Sequence, residues 1–334
     1  MKVLFIGGTG VISTAVSELA VKSGIELYLL NRGNQSGFAP DGARFIKGDI
    51  RDAVGTAEAL KDYSFDAVVD WIAFTPGHVE TDINLFKGKT GQYIFISSAS
   101  AYQKPPSSYL IDESTPLYNP FWQYSRDKIA CEDLLMDEYR KNGMPVTIVR
   151  PSYTYGNTMI PFALNSRKYR WTLVDRMRRG KKIIVPGDGS SLYTITHNTD
   201  FAKGFVGLLG NIQAIGHAFH ITSDEVLTWN QIAGIIGKAA GAEPDIIHIP
   251  SDFIGALSPE HIGSLLGDKA VSVVFDNSKI KRFVPGFTAA VPLSRGVKQT
   301  IDWYEANPDM CKSDEEFDKL CDRIIAAYET GLKV

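Results

Sequence analysis

Short β-branched or aromatic runs recur through the first half of the chain, at Val3–Ile6, Leu27–Leu30, Arg44–Ile46, Ala67–Ile72, Tyr93–Ser97 and Val146–Val149. Runs this short, without a polar alternate position, are typical of parallel strands buried on both faces. Between them the apolar residues Val11, Ala15, Val16 and Leu19, and later Ile129, Leu134 and Leu135, recur at the three- and four-residue spacing of a helix face. The alternation predicts an α/β fold, a doubly wound parallel sheet with helices on both sides.

Beyond about residue 156 the rhythm loosens, and Pro161, Pro186, Pro244, Pro250, Pro259 and Pro285 punctuate a mixed region. No Gly/Ser linker or low-complexity run separates the halves, and there is no internal repeat. The expected division is a dinucleotide-binding domain over 1–156, completed by elements around 195–225, and a smaller substrate-binding lobe over 157–334. Two helix starts are readable in that lobe as capping boxes, Thr228-Trp229-Asn230-Gln231 and Ser313-Asp314-Glu315-Glu316.

The 334 residues are 44% hydrophobic and 22% charged, which excludes disordered and fibrous classes. With 35 basic against 38 acidic side chains the formal charge is -3, so nucleic acid and anionic membranes are not expected partners unless a local patch recruits them. The three cysteines, Cys131, Cys311 and Cys321, have neither metal nor redox spacing and are expected to be structural, as in a reducing cytosol. The first strand begins at once, without the features of a signal peptide, and no stretch is apolar enough to span a bilayer. A soluble, cytoplasmic protein is therefore expected.

The first chemical signal is Gly7-Gly8-Thr9-Gly10-Val11-Ile12-Ser13, placed directly after a strand and opening a helix. There the glycines allow a tight turn and close approach of a pyrophosphate to free backbone N–H groups at the positive helix end. Ser13 stands where the fingerprint usually has a third glycine, so the helix must accommodate a small hydroxyl. At the end of the second strand, Asn31-Arg32-Gly33 lacks the carboxylate that would bind the 2′-hydroxyl of NAD. Arg32 can pair with a 2′-phosphate, which favours NADP over NAD, the alternative being an exposed loop arginine. Gly48-Asp49-Ile50 is placed to border the adenine, although Asp49 also suits a plain turn.

The second signal is Tyr124-Ser125-Arg126-Asp127-Lys128, a phenol and an ammonium four residues apart on one helix face. That spacing alone is weak among 14 tyrosines. It gains weight from Ser97-Ser98-Ala99-Ser100-Ala101-Tyr102 at the end of the fifth strand, because Ser98, Tyr124 and Lys128 would then meet at the carboxyl edge of the sheet. A base for hydroxyl oxidation must work near neutrality, whereas a free tyrosine titrates near about 10. An ammonium about 4 Å away, at an effective dielectric of about 20, supplies on the order of 4 kcal/mol, enough to bring a phenol towards about 7 before desolvation opposes it.

Together the turn Gly7-Gly8-Thr9-Gly10, the Ser98 to Tyr102 segment, Tyr124 to Lys128 followed by Glu132, and Arg150-Pro151-Ser152-Tyr153-Thr154-Tyr155-Gly156 resemble the extended short-chain dehydrogenase/reductase superfamily, in its NAD(P)-dependent sugar epimerase/dehydratase branch. Softer likeness continues through Gly187-Asp188-Gly189, His197-Asn198-Thr199-Asp200 and Asp276-Asn277-Ser278-Lys279. The resemblance implies a Rossmann domain, a C-terminal substrate lobe and often a homodimer through the Tyr/Lys helix. It implies catalytic roles for Ser98, Tyr124 and Lys128, with Lys128 reaching the nicotinamide ribose, and places Gly7, Gly8, Thr9, Gly10, Val11, Ile12, Asn31, Arg32, Asp49, Ile50 and Tyr153 beside the cofactor. An oxidoreductase or epimerase acting on a secondary hydroxyl or ketone of a small sugar-like substrate is expected.

Three departures narrow that expectation. Ser98-Ala99-Ser100 stands where dehydratases of the family carry Thr-Asp-Glu, which argues against dehydration. No arginine follows Gly187-Asp188-Gly189 to grip a nucleotide diphosphate, so a free sugar, polyol or sugar acid is as suitable as a nucleotide sugar. Tyr153 replaces a common asparagine, so substrate orientation cannot be transferred. The basic run Asp175-Arg176-Met177-Arg178-Arg179-Gly180-Lys181-Lys182 reads as a solvated helix end or as an anion-binding patch. A different class remains open, since chloroplast stem-loop RNA-binding proteins are similar in fold and have lost redox function. His197 reads as structural, and none of the six histidines has metal-ligand spacing.

Overall fold

The protein is described by a computed structural model covering residues 1–33 and 38–331. Its first half is β1 (Lys2–Ile6), α1 (Val11–Lys22), β2 (Glu26–Asn31), β3 (Arg44–Lys47), α2 (Ala53–Ala59), β4 (Ala67–Asp70), α3 (Pro76–Phe86), β5 (Tyr93–Ile96) and α4 (Gln123–Asn142). Strands Val146–Pro151 and Ala218–Ile221 complete a seven-stranded parallel sheet in the order Ala218–Ile221, Val146–Pro151, β5, β4, β1, β2, β3. The order reverses between β4 and β1, and in such sheets the crevice at the carboxyl ends of the flanking strands takes the ligand.

Alternation along each strand divides the core. Val3 and Phe5 of β1 pack with α1 and helix Asn198–Val206 through Val16, Phe201 and Phe205. Leu4 and Ile6 face Val79, Ile83 and Leu135 of α3 and α4. All four β1 residues are fully buried, which explains why the run shows no polar alternate position. The fourth strand stops at Asp70, two residues short of its apolar run, because Asp70 Oδ1 accepts the N–H groups of Ile72 (2.5 Å) and Ala73 (2.9 Å) and turns the chain.

The lobe has its own core around fully buried Trp229, packed with Tyr193, Ile232, Ile236, Val297 and Ile301. Helix Trp229–Ala240 begins with the expected capping box at Thr228 and Gln231. The last helix differs from expectation. It spans Glu315–Gly331, and Asp314 rather than Ser313 caps it, Oδ1 accepting the Phe317 N–H at 3.3 Å.

The basic run is neither free nor a ligand patch. Arg176 pairs with Asp318 and, at 2.9 Å, with Asp322. Lys181 reaches the same two carboxylates at 2.8 and 2.7 Å, and Lys182 pairs with Glu329. Arg176 is only 2% exposed, so this segment clamps the acidic face of the C-terminal helix, and the anion-binding alternative is withdrawn for it.

Candidate active site and cofactor cleft

The turn after β1 holds Gly7 at φ 95° and Gly8 at φ 99°, conformations in which a side chain would be strained. A Cβ on Gly8 would also lie 2.7 Å from Leu29 Cδ2. Gly10 caps α1 with φ -88°, and a Cβ there would meet nothing closer than Ser13 Oγ at 3.4 Å. Ser13 thus has a local task in place of the third glycine, its hydroxyl accepting the Gly10 N–H at 2.8 Å.

Two adjoining clefts open along the sheet edge and share Gly7, Thr9, Ile72 and Phe74. The outer one, about 430 Å³, is lined by Asn31, Arg32, Asp49, Ile50 and Arg51. The inner one, about 410 Å³, takes in Gly8, Gly10, Val11, Ile12, Ser98, Tyr124 and Lys128. The groove therefore runs past the glycine turn and joins most of the residues singled out in the sequence. Its polar lining suits a dinucleotide: the Asn31 Nδ2 and Trp71 Nε1 atoms are buried without acceptors, and the turn leaves backbone at the mouth of α1.

At the outer end the Arg32 side chain is 68% exposed and its Nη1 lies 4.0 Å from Asp49 Oδ2. Asp49 is at once a turn residue, Oδ1 accepting the Arg51 N–H at 3.0 Å, and part of the cleft wall. Tyr153 is not among the residues lining either cleft. In the extended segment Tyr153–Tyr155 alternate residues face opposite ways, so Ser152 and Thr154 line the cleft, while the Tyr153 hydroxyl donates to Phe162 O at 3.1 Å within the lobe.

At the inner end α4 is fixed by a buried ion pair. Arg150 Nη2 and Nε lie 2.5 and 2.9 Å from the Glu132 carboxylate, whose Oε1 also accepts the Ser97 hydroxyl at 2.5 Å. Ser98 Oγ is 2.8 Å from Ser100 Oγ, which accepts the Ser125 hydroxyl at 2.8 Å. Lys128 donates to Ala73 O at 2.6 Å and Ile96 O at 2.7 Å, and its ammonium stands 5.8 Å from the centre of the Tyr124 ring.

The electrostatics differ from the sequence expectation. Burial raises the Tyr124 phenol above its ordinary 10, Ser98 opposes this by hydrogen bonding, and Asp268 adds to it. Burial lowers the Lys128 ammonium to about 8. With its N–H groups directed to two carbonyls, Lys128 does not hold the phenol down in this arrangement, as the spacing alone had suggested.

Other groups were not singled out in advance. The loop Trp71–Phe74 forms the shared wall of the two clefts and carries the Ala73 carbonyl that holds Lys128. Beneath it, Asp82 Oδ2 accepts the Tyr93 hydroxyl at 2.6 Å, while Asp82 Oδ1 and Asp70 Oδ2 are buried without donors. Burial first, and Asp70 second, push the Asp82 carboxyl well above the carboxylate range. The sequence signal was an acid inside an otherwise apolar run at Asp70. His197 has its expected structural place, Nδ1 lying 2.7 Å from Thr199 Oγ1 at the start of helix Asn198–Val206.

Comparisons with known proteins place these features. The family model for the NAD dependent epimerase/dehydratase family matches residues 3–222. The chain is 29% identical over 267 residues to the chloroplast stem-loop binding protein of 41 kDa b of Arabidopsis thaliana, covering 75% of this chain and 67% of that protein. It is 25% identical to a dTDP-glucose 4,6-dehydratase of Streptomyces niveus, over 92% of this chain and 94% of that one. The crystal structure of UDP-glucuronic acid 4-epimerase from Bacillus cereus, in complex with UDP-glucuronic acid and NAD, superposes with a TM-score of 0.73 at 19% identity, covering 92% of this chain and all of that one (100%). Among the described residues no helix is long and apolar enough to cross a membrane.

Proposed function

The chain belongs to the NAD dependent epimerase/dehydratase family, and from that premise we propose that it is an NAD(P)-dependent oxidoreductase or epimerase of short-chain dehydrogenase/reductase type. Its substrate is a sugar-like molecule with a reactive secondary hydroxyl or ketone. The observation that carries this reading is the meeting of Ser98, Tyr124 and Lys128 at the inner end of a groove that passes the glycine turn.

The nicotinamide dinucleotide, when bound, supplies the hydride acceptor or donor. Gly7 to Ile12 would take its pyrophosphate, Asp49 and Ile50 would border the adenine, and Arg32 would meet a 2′-phosphate. Since the 4.0 Å approach to Asp49 leaves Arg32 free to turn, NADP is favoured. Tyr124 carries the proton. As a half-buried phenol held above its ordinary value it is ready to protonate a ketone oxygen, with Ser98 holding that oxygen in line. In the oxidising direction Lys128 must leave the carbonyls of Ala73 and Ile96 and turn its charge to the phenol.

Two observations choose among relatives. The segment Ser98-Ala99-Ser100 offers no carboxylate to assist dehydration, which supports redox or epimerase chemistry over the dehydratase activity of the Streptomyces relative. An RNA-binding role like that named for the Arabidopsis relative would need a basic surface, and the densest basic run is already paired with Asp318, Asp322 and Glu329. A cytoplasmic homodimer assembled through α4 belongs to the same proposal, and sedimentation tests the assembly.

The experiment is an absorbance assay of sugars, polyols and keto-sugars with NAD and NADP, using wild type and Tyr124→Phe. Turnover should fall by about 10²–10⁴ in the variant while dinucleotide binding persists. Near wild-type turnover for Tyr124→Phe, or tight RNA binding with no substrate turned over, removes the proposal.

A further inference from the structure

The wall shared by the two clefts leaves the sheet at Trp71, whose N–H donates to Ile6 O at 3.1 Å. From there the peptide groups of Ile72, Ala73 and Phe74 bond side chains instead. Asp70 Oδ1 takes the N–H groups of Ile72 and Ala73, Arg51 donates to Ile72 O, and Lys128 donates to Ala73 O. The Phe74 N–H goes to His78, whose Nδ1 accepts it at 3.1 Å. Four side chains from the end of β4, the segment before α2, α3 and α4 thus pin one short loop. Arg51 lines the outer cleft and Lys128 the inner one, so the two ends of the groove hold adjacent carbonyls.

His78 occupies its place because of how α3 starts. Thr75 caps the helix from an extended conformation, its hydroxyl makes no capping bond among the described residues, and Pro76 follows at the first helical position. His78 therefore reaches back past Thr75 to the Phe74 N–H, as the acid of a capping box reaches back to its own cap. A peptide N–H can only donate, so Nδ1 carries no proton and the ring is neutral, with its hydrogen on Nε2. Protonation would set two hydrogens face to face and break the bond. Burial lowers the imidazole from its ordinary 6.5, Arg51 adds to this, Asp70 opposes it and Lys128 adds again. These charges face the ring from the segment before α2, from β4 and from α4, while the next turn of α3 carries Asp82, bound by Tyr93. The bond is therefore intact at about pH 7 and is lost as the pH falls below about 6.5.

The residue pinned in this way stands where the clefts meet. Phe74 is 44% exposed and lines both of them, with its ring centre 4.8 Å from the Lys128 ammonium and 6.4 Å from that of Tyr124. We propose that His78 is a positioning residue for the groove: neutral, it fixes Phe74 and the shared wall, and protonated, it releases that wall and lowers dinucleotide affinity. The inference rests on the reading of the groove as a nicotinamide dinucleotide site and does not depend on the chemistry of Tyr124. Because coupling between two bound species is reciprocal, dinucleotide binding should in turn expel the proton from His78.

The test is calorimetry on the full chain with NAD at about pH 7 and about pH 5, in buffers of different ionisation heat. NAD is the probe because a 2′-phosphate would itself titrate near about 6. Lys128, lowered to about 8, keeps its charge over this range. Wild-type affinity should be at least about threefold lower at the acid end, with protons released on binding there. His78→Ala should bind weakly at both ends. His78→Asn places Oδ1 as far from Cβ as Nδ1 was, so it keeps the acceptor without titrating, and should match neutral wild type at both ends. Should His78→Ala not fold, the wild-type profile and His78→Asn decide. A flat wild-type profile, a profile that persists in His78→Asn and so belongs to another group such as Asp82, or His78→Asn binding no better at neutral pH than acid wild type overturns the proposal and leaves the groove its ligand. Failure of wild type to bind NAD at neutral pH removes the reading of the groove, and the role of His78 with it.

Discussion

Two arginine–carboxylate pairs mark the two ends of the same groove. Arg32 and Asp49, at the outer end, lie 4.0 Å apart with side chains 68% and 42% exposed. Arg150 and Glu132, behind the reacting end, are in hydrogen-bond contact with side chains 7% and 3% exposed. Water screens the first pair, so either member can turn to a ligand with little loss. The second has no water to fall back on, and its worth lies in holding α4 against the sheet so that Tyr124 and Lys128 stay in register with Ser98. The same chemistry is adaptable at one end and structural at the other.

If that contrast holds, Glu132→Gln should have the largest effect, a loss of about 3–5 kcal/mol in denaturant unfolding, because it leaves a guanidinium buried without its counter-charge. A loss below about 1 kcal/mol would place the pair with surface ion pairs and end the comparison.

The next effect belongs to the acid pair under the Trp71–Phe74 loop. Unfolded, Asp82 ionises near about 4; folded, burial and Asp70 keep it protonated to much higher pH. The unfolded chain then binds fewer protons, so this group's contribution falls as pH rises above about 4, by up to about 1.4 kcal/mol per pH unit, until the folded carboxyl itself ionises. Asp82→Asn can donate to Asp70 and still accept from Tyr93. Its stability relative to wild type should therefore rise between about pH 5 and 8 in paired thermal melts, and a constant difference would show that Asp82 is ionised in the folded protein.

Gly10→Val comes third. Its Cβ meets only Ser13 Oγ, so melting should change little while NAD and NADP affinity falls by about tenfold or more in calorimetry. Unchanged affinity would take the pyrophosphate away from the turn. Arg32→Ala should be the mildest, shifting the NADP/NAD affinity ratio towards NAD by less than about tenfold because the pair is exposed. A larger shift would show that the outer end becomes enclosed around the ligand.

The parallel sheet was legible because full burial on both faces removes every polar alternate position, as in Val3 to Ile6. The glycine turn and the Ser98, Tyr124 and Lys128 set were legible because local backbone geometry and helix spacing dictate them. What the chain did not disclose depends on partners far away in sequence. Arg176 looked like part of a solvated helix end until Asp318 and Asp322 closed on it. The Tyr153 hydroxyl turns into the lobe to Phe162 O, and the Lys128 contacts run through carbonyl groups that no side-chain pattern reports.

Strand Ala218–Ile221 pairs with Val146–Pro151, yet the chain makes its whole excursion through 157–217 between them. On a ribosome, Val146–Pro151 therefore emerges long before its neighbour, with every residue destined for burial and one row of N–H and C=O groups unmet. A nascent chain in that state is a natural client for a chaperone and a template for edge-to-edge association. Cutting the chain after residue 156 would leave this edge unpaired for good, so a fragment of residues 1–156 is expected to associate rather than stand alone.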